Sequence, residues 1–156
     1  MGINEEYLRE SKNYFEEREM KYMYKSAFME YMDNNEIKYQ EIDDFRLSVI
    51  YAGENMKSIK VYFFFDKDGD NIVQLSCMQI AGFKNSMEVG VNACNAVNTK
   101  YRWVKFYIDD DGDLMCDIDA YLDENSCGEV CMQLLSRMVN IVDETYPTFM
   151  RALWAN

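Results

Sequence analysis

The chain predicts an α+β domain, an antiparallel sheet packed against helices in the order α-β-β-β-α-β-β-α. Three observations carry this. A five-residue turn occurs twice, as Asp66-Lys67-Asp68-Gly69-Asp70 and Asp109-Asp110-Asp111-Gly112-Asp113, each between runs of alternating aromatic and β-branched residues. Asp-Gly in that setting is a strong hairpin signal, because Gly takes positive φ without a Cβ penalty. The stretches around the hairpins repeat apolar residues at helical spacing. Finally, 156 residues that are 49% hydrophobic and 15% aromatic suffice for one domain spanning 1–156, which buries roughly 70% of its unfolded surface.

The first element is a long helix over about Glu6 to Asp33, a stretch without Gly or Pro. Met20, Met23, Tyr24, Ala27, Phe28, Tyr31 and Met32 follow i, i+3, i+4 spacing and give it one apolar face. Its first turns carry only Tyr7, Leu8, Tyr14 and Phe15 among many charges. At 1.5 Å per residue the whole helix would run ~40 Å, against an expected radius of gyration of ~15 Å. Those turns are therefore expected to overhang the domain.

Asp33-Asn34-Asn35 ends the helix, and a short strand is expected over Ile37 to Gln40. Three clearer strands follow, with core faces Phe45/Leu47/Val49/Tyr51, Ile59/Val61/Phe63/Phe65 and Val73/Leu75/Cys77. Alternation with one polar face marks a half-covered antiparallel sheet. Asn85 and Glu88 then resemble a capping box opening a second helix, with Met87, Val91, Cys94, Val97 and Tyr101 facing inward. The second hairpin spans Trp103 to Tyr121. Ser126-Cys127-Gly128-Glu129 caps a third helix with Val130, Leu134, Met138, Ile141 and Val142 inside, and Pro147 is expected to interrupt it.

Turn length fixes which side chains reach the core. A two-residue loop at Asp111-Gly112 would set Phe106 beside Asp117 and Val104 beside Asp119, burying carboxylates. A three-residue loop with Gly112 left-handed instead pairs Ile108 with Leu114, Phe106 with Cys116 and Val104 with Ile118. The outer face then sets Lys105 against Asp117 and Tyr107 against Met115. The same rule in the first hairpin pairs Phe63 with Val73, Val61 with Leu75 and Ile59 with Cys77.

Charge narrows the function. The net charge is −12, and nine carboxylates lie between Phe106 and Ser136 with no Lys or Arg. Such a surface repels nucleic acid and anionic lipid, so neither is an expected partner. There is no signal-like segment around Asn4-Glu5-Glu6 and no apolar run long enough to span a membrane. Cys77, Cys94, Cys116, Cys127 and Cys131 are odd in number and lie at apolar positions, which predicts reduced, buried thiols in a cytoplasmic protein.

No chemistry is well equipped. An EF-hand aligned on Gly69 would need Phe64 and Leu75 as end ligands, and one aligned on Gly112 would need Tyr107 and Ile118. Asp109, Asp111 and Asp113 remain weak candidates for a divalent cation. The chain has no His, no phosphate-binding glycine motif and no recognisable nucleophile setting, so neither an enzyme nor a cofactor is expected. The outer face of the second hairpin carries Trp103, Lys105, Tyr107, Met115, Asp117 and Asp119 by parity. Of these, Trp103, Tyr107 and Met115 are the types enriched in protein interfaces.

Asn95-Ala96-Val97-Asn98, the run Val104 to Leu114, and the helix carrying Val142-Asp143-Glu144-Thr145-Tyr146-Pro147 together resemble the YbjN family of candidate sensory transduction regulators. The resemblance covers nearly the whole chain, most closely from Asn85 onward. It implies a type III secretion chaperone-like fold, and those chaperones are small acidic homodimers that hold protein partners. The reading is thus a non-enzymatic protein-binding domain, a homodimer that docks a partner by a sheet edge or the hairpin face. The alternative is a small-molecule or divalent-cation sensor built on the acidic turn around Gly112.

Overall fold

The structure is a computed structural model that describes residues 4–155, so both ends of the expected 1–156 domain lie outside the described residues. It is α+β. The elements are α1 (Glu5–Lys21), α2 (Met23–Asn34), β1 (Gln40–Asp43), β2 (Arg46–Tyr51), β3 (Ile59–Phe65), β4 (Ile72–Cys77), α3 (Met87–Asn98), β5 (Lys105–Ile108), β6 (Leu114–Tyr121) and α4 (Cys127–Trp154). The strands form one antiparallel sheet in the order β1-β2-β3-β4-β6-β5.

The predicted strand faces form the core, except that Phe45 precedes β2 and lies outside the core cluster and Tyr51 is only half-buried. Ile59, Val61, Phe63 and Phe65 alternate with half-exposed neighbours along β3, and Val73, Leu75 and Cys77 are buried on β4. α2 and α4 cover this inner face. Phe28 of α2 meets Phe63 at 4.8 Å, and Phe149 of α4 meets Phe106 at 5.0 Å between ring centroids. Lys25 of α2 is buried and reaches Glu41 of β1 at 3.3 Å, tying helix to sheet edge. All five cysteines are buried free thiols. Burial raises Cys77 to about 12 and Cys94 to about 11.

The second hairpin has the predicted register: Ile108↔Leu114, Tyr107↔Met115, Phe106↔Cys116 and Lys105↔Asp117. Gly112 takes φ +85°, the Asp109 N–H bonds the Asp113 carbonyl, and β5 begins only at Lys105, so the predicted Val104–Ile118 pair is not part of the ladder. The first hairpin keeps the predicted faces but is displaced by two residues, pairing Phe63↔Leu75 and Phe65↔Val73. Asn71 explains the difference. Its carbonyl takes the Leu122 N–H at 2.7 Å and its amide bonds the Leu122 carbonyl, so the residue serves β6 instead of closing the turn. A shift of two preserves parity, which is why the core is unaffected.

Other expectations are corrected. The first helix breaks at Tyr22 (φ −110°, ψ 18°), where the Lys21 backbone lies against Gly69; a Cβ on Gly69 would stand 3.2 Å from Lys21 Cα. The first strand is Gln40–Asp43, not Ile37 to Gln40. α3 is capped at Ser86, not Asn85, and neither Ser86 nor Ser126 accepts a helix N–H through its side chain. Met87 and Val91 are exposed, and Gly90, Cys94 and Val97 form the buried face of α3. Gly90 permits that approach, since a Cβ there would meet Phe83 at 2.8 Å and Ile108 at 2.9 Å.

Pro147 does not interrupt α4. It lacks an N–H, so the Asp143 carbonyl four residues back loses its helical donor. Asn55 Nδ2 donates to that carbonyl at 3.2 Å, and the Asp143 carboxylate accepts the backbone N–H groups of Glu54, Asn55 and Met56 at 3.0, 2.9 and 2.8 Å. The β2–β3 turn thus satisfies the carbonyl the proline frees and is itself held by the Asp143 carboxylate. Helix and turn are one unit.

Candidate functional site: the open face of the sheet

With α2 and α4 inside, the opposite face of the sheet has no helix over it among the described residues. Register assigns its side chains. Gln40, Arg46, Ser48, Ile50, Lys60, Tyr62 and Phe64 share the β1–β3 half. Gln74, Ser76, Lys105, Tyr107, Met115, Asp117, Asp119 and Tyr121 share the β4–β6–β5 half.

The two halves differ in charge. In the first, Arg46 holds Asp43 at 2.6 Å at the sheet corner, and Lys60 lies 4.9 Å from the Tyr62 ring centroid. In the second, carboxylates dominate. Tyr107 Oη donates to Asp117 Oδ2 at 2.9 Å, Ser76 Oγ to Asp117 Oδ1 at 2.6 Å, and Gln74 Nε2 to Asp119 Oδ1 at 3.1 Å. Burial, with the Asp117 carboxylate beside it, pushes the Tyr107 phenol up to about 12. Tyr107 and Asp117 are therefore a fixed pair across the strands, and beyond them Asp119, held on one oxygen by Gln74, and Tyr121 (78% exposed) face solvent.

Of the three predicted interface residues, the structure brings two together. Tyr107 and Met115 are directly opposed, and Met115 Sδ accepts the Gln79 N–H at 3.4 Å. Trp103 is not with them. It precedes β5 with φ +80°, and its ring lies 4.3 Å from the Arg137 guanidinium of α4, on the helix side. Simple strand parity fails there because the strand has not yet begun.

In the acidic turn, Asp109 Oδ1 accepts the N–H groups of Asp111 and Asp113 at 3.0 and 2.8 Å, and Asp113 Oδ2 takes the Gln79 amide at 3.1 Å. Asp109 spends its carboxylate on shaping its own turn. Among the described residues, no group of three or more acidic, Cys or His side chains is placed to hold a metal ion.

One functional restraint escaped the residue patterns. β5 is an edge strand, yet Phe106 donates its N–H to Asn98 Oδ1 at 2.9 Å and accepts from Asn98 Nδ2 at 2.9 Å. A primary amide has the same donor and acceptor pair as a peptide, so Asn98 occupies the place an added strand would take. The Asn95-x-x-Asn98 spacing was visible; its target was not, because the pairing depends on how α3 lies along β5.

No helix among the described residues is long and apolar enough to cross a membrane. No curated protein and no solved structure matches the chain. The model of the YbjN family, described as "Putative bacterial sensory transduction regulator", matches residues 26–153. That span runs from within α2 to the end of α4 and holds the whole sheet, and the chain belongs to the YbjN family.

Proposed function

We propose that this YbjN-family chain is a non-enzymatic, cytoplasmic regulatory domain that works as a homodimer and binds another protein on the acidic half of its open sheet face. One observation carries the reading. Leu47, Val61, Phe63, Leu75 and Phe106 on the covered side of the sheet are sealed in the core, whereas Asp119 and Tyr121 are left exposed beside the fixed Tyr107–Asp117 pair. A rigid aromatic next to carboxylates suits a basic, partly apolar segment, with charge steering the encounter and Tyr121 supplying contact area. Docking by strand addition at β5 is not part of the proposal, since Asn98 closes that edge.

The test is capture of a partner by the tagged full chain, compared with Asp119→Lys and Tyr121→Ala. Both positions are exposed, so unfolding temperatures should not change. Partners held by the wild type and lost, salt-dependently, from both variants support the proposal. Equal capture by all three removes this face from the function.

A further inference from the structure

α1 lies outside the family match and contains no buried residue. Four of its apolar side chains nevertheless share one side of the helix, with Met20 on the other. Tyr7, Leu8, Ser11, Tyr14, Phe15 and Arg18 fall within about 120° of arc at 100° per residue. The four large ones are 67%, 51%, 62% and 61% exposed. Six glutamates against two Arg and two Lys surround them, which makes α1 acidic. This is an amphipathic helix without its other half.

The same molecule exposes a surface of opposite character. The β1–β3 half of the open face presents Ile50 (59% exposed), Tyr62 and Phe64 with Lys60, and its corner carboxylate Asp43 is already held by Arg46. In a chain of net charge −12, that is where an acid-flanked aromatic helix meets cation and apolar surface together.

α1 is poorly placed to reach this surface on its own copy. A single residue, Tyr22, joins it to α2, which packs on the opposite side of the sheet. The break is short and bonded on both sides, with the Tyr22 N–H on the Arg18 carbonyl and the Ser26 N–H on the Tyr22 carbonyl. Reversal onto its own outer face would need several free residues. α1 is further held at its end by the Arg18–Asp44 contact of 3.4 Å.

We infer that α1 of one copy lies on the β1–β3 half of the open face of a second copy, and that the exchange is reciprocal. Three aromatic side chains and a leucine cover roughly 450 Å², and two such contacts, counted on both partners, bury roughly 1,800 Å², the size of a standard stable interface. Reciprocal exchange closes as a two-fold dimer and leaves no open end to propagate. It also leaves the acidic half with Asp119 and Tyr121 uncovered. The inference rests on the homodimer of the proposed function and supplies its interface.

The test uses full-length chains. Because the native thiols are buried, cysteines introduced as Tyr14→Cys in one chain and Ile50→Cys in another are the reactive ones. Mixed and oxidised, these two variants should give a disulfide-linked heterodimer that neither gives alone. Sedimentation should show a wild-type dimer, and Phe15→Glu or Lys60→Glu should weaken association at least ~10-fold, the loss expected of a central aromatic or charge contact. A disulfide joining two Tyr14→Cys chains, an intrachain bridge in the double variant, or a wild-type monomer would each overturn the inference. A Phe15→Glu monomer that still captures the partner through Asp119 and Tyr121 would keep both readings. Capture lost from Asp119→Lys with association unaffected by Phe15→Glu would leave the proposed function standing and sink this interface.

Discussion

Gly69 and Gly112 occupy the same place in nearly the same turn, so substituting each with alanine is a matched experiment. Both have positive φ, +89° and +85°, and an L side chain there costs ~1–2 kcal/mol by itself. Their surroundings differ. A Cβ on Gly69 would stand 3.2 Å from Lys21 Cα, a contact that a small shift of exposed α1 relieves. A Cβ on Gly112 would stand 2.5 Å from Lys84 Cα and 2.7 Å from its backbone nitrogen. That backbone cannot retreat freely, because the Phe83 N–H bonds the Gly112 carbonyl at 2.7 Å and the Phe83 ring is fully buried. Losing that bond and loosening Phe83 adds ~2–3 kcal/mol. Gly112→Ala should therefore cost ~3–5 kcal/mol and Gly69→Ala ~1–2, in a domain whose whole stability is expected near 5–15 kcal/mol. Urea unfolding followed by far-ultraviolet circular dichroism, at one fixed protein concentration, reads the difference as a shift in midpoint at constant slope. Equal losses would refute the reasoning, as would tolerance of Gly112→Ala or of the bulkier Gly112→Val.

Three further outcomes are expected. Asp143→Ala strips the acceptor from three backbone N–H groups of the β2–β3 turn and should cost ~2 kcal/mol, read by calorimetry as a fall in Tm of ~6 °C. Those N–H groups, Met56 first, hold the Asp143 carboxyl below its ordinary value, so its contribution is complete above the unfolded carboxylate value of ~4. It disappears as pH falls through the lower folded value, and an acid-unfolding curve that is unchanged in Asp143→Asn would contradict this. Asn98→Ala uncovers the Phe106 main chain at the β5 edge and should give association beyond the wild-type dimer by light scattering, while an oligomeric state strictly unchanged from the wild type would deny the amide that role. Tyr107, raised to about 12 with burial as the first cause, binds its proton more tightly folded than unfolded. Its contribution to stability is therefore full below ~10 and is lost as pH rises toward the folded value. Burial also raises Tyr24, Tyr39, Tyr51 and Tyr101, so phenolate absorbance should show a late-titrating group of tyrosines, and Asp117→Asn should bring one of them earlier.

Much of the fold was legible because two periodicities and two glycines over-determine it. Phe106 and Cys116 share the core face because burying Asp117 instead would strand a charge, and that argument needs no coordinates. Features that failed depend on partners distant in sequence. Pro147 looked like a breaker until Asn55, 92 positions earlier in the numbering, was found donating to the carbonyl it orphans. Asn71 closed no turn because Leu122 claims it. At the site, Tyr107 and Met115 were placed correctly by strand parity, whereas Trp103 fell outside the strand and turned to Arg137. The closing of the β5 edge by Asn98 depends on the lie of α3, which no local pattern encodes.

A photo-crosslinking residue in place of Tyr121 tests most directly whether the open sheet face is the working surface. In cells expressing the full chain, it should trap a protein partner, and Asp119→Lys in the same chain should abolish the adduct. The same probe in place of Met132, on α4 at the helix side, should trap none. Adducts at Met132 with none at Tyr121 would place the working surface on the helices and contradict the account.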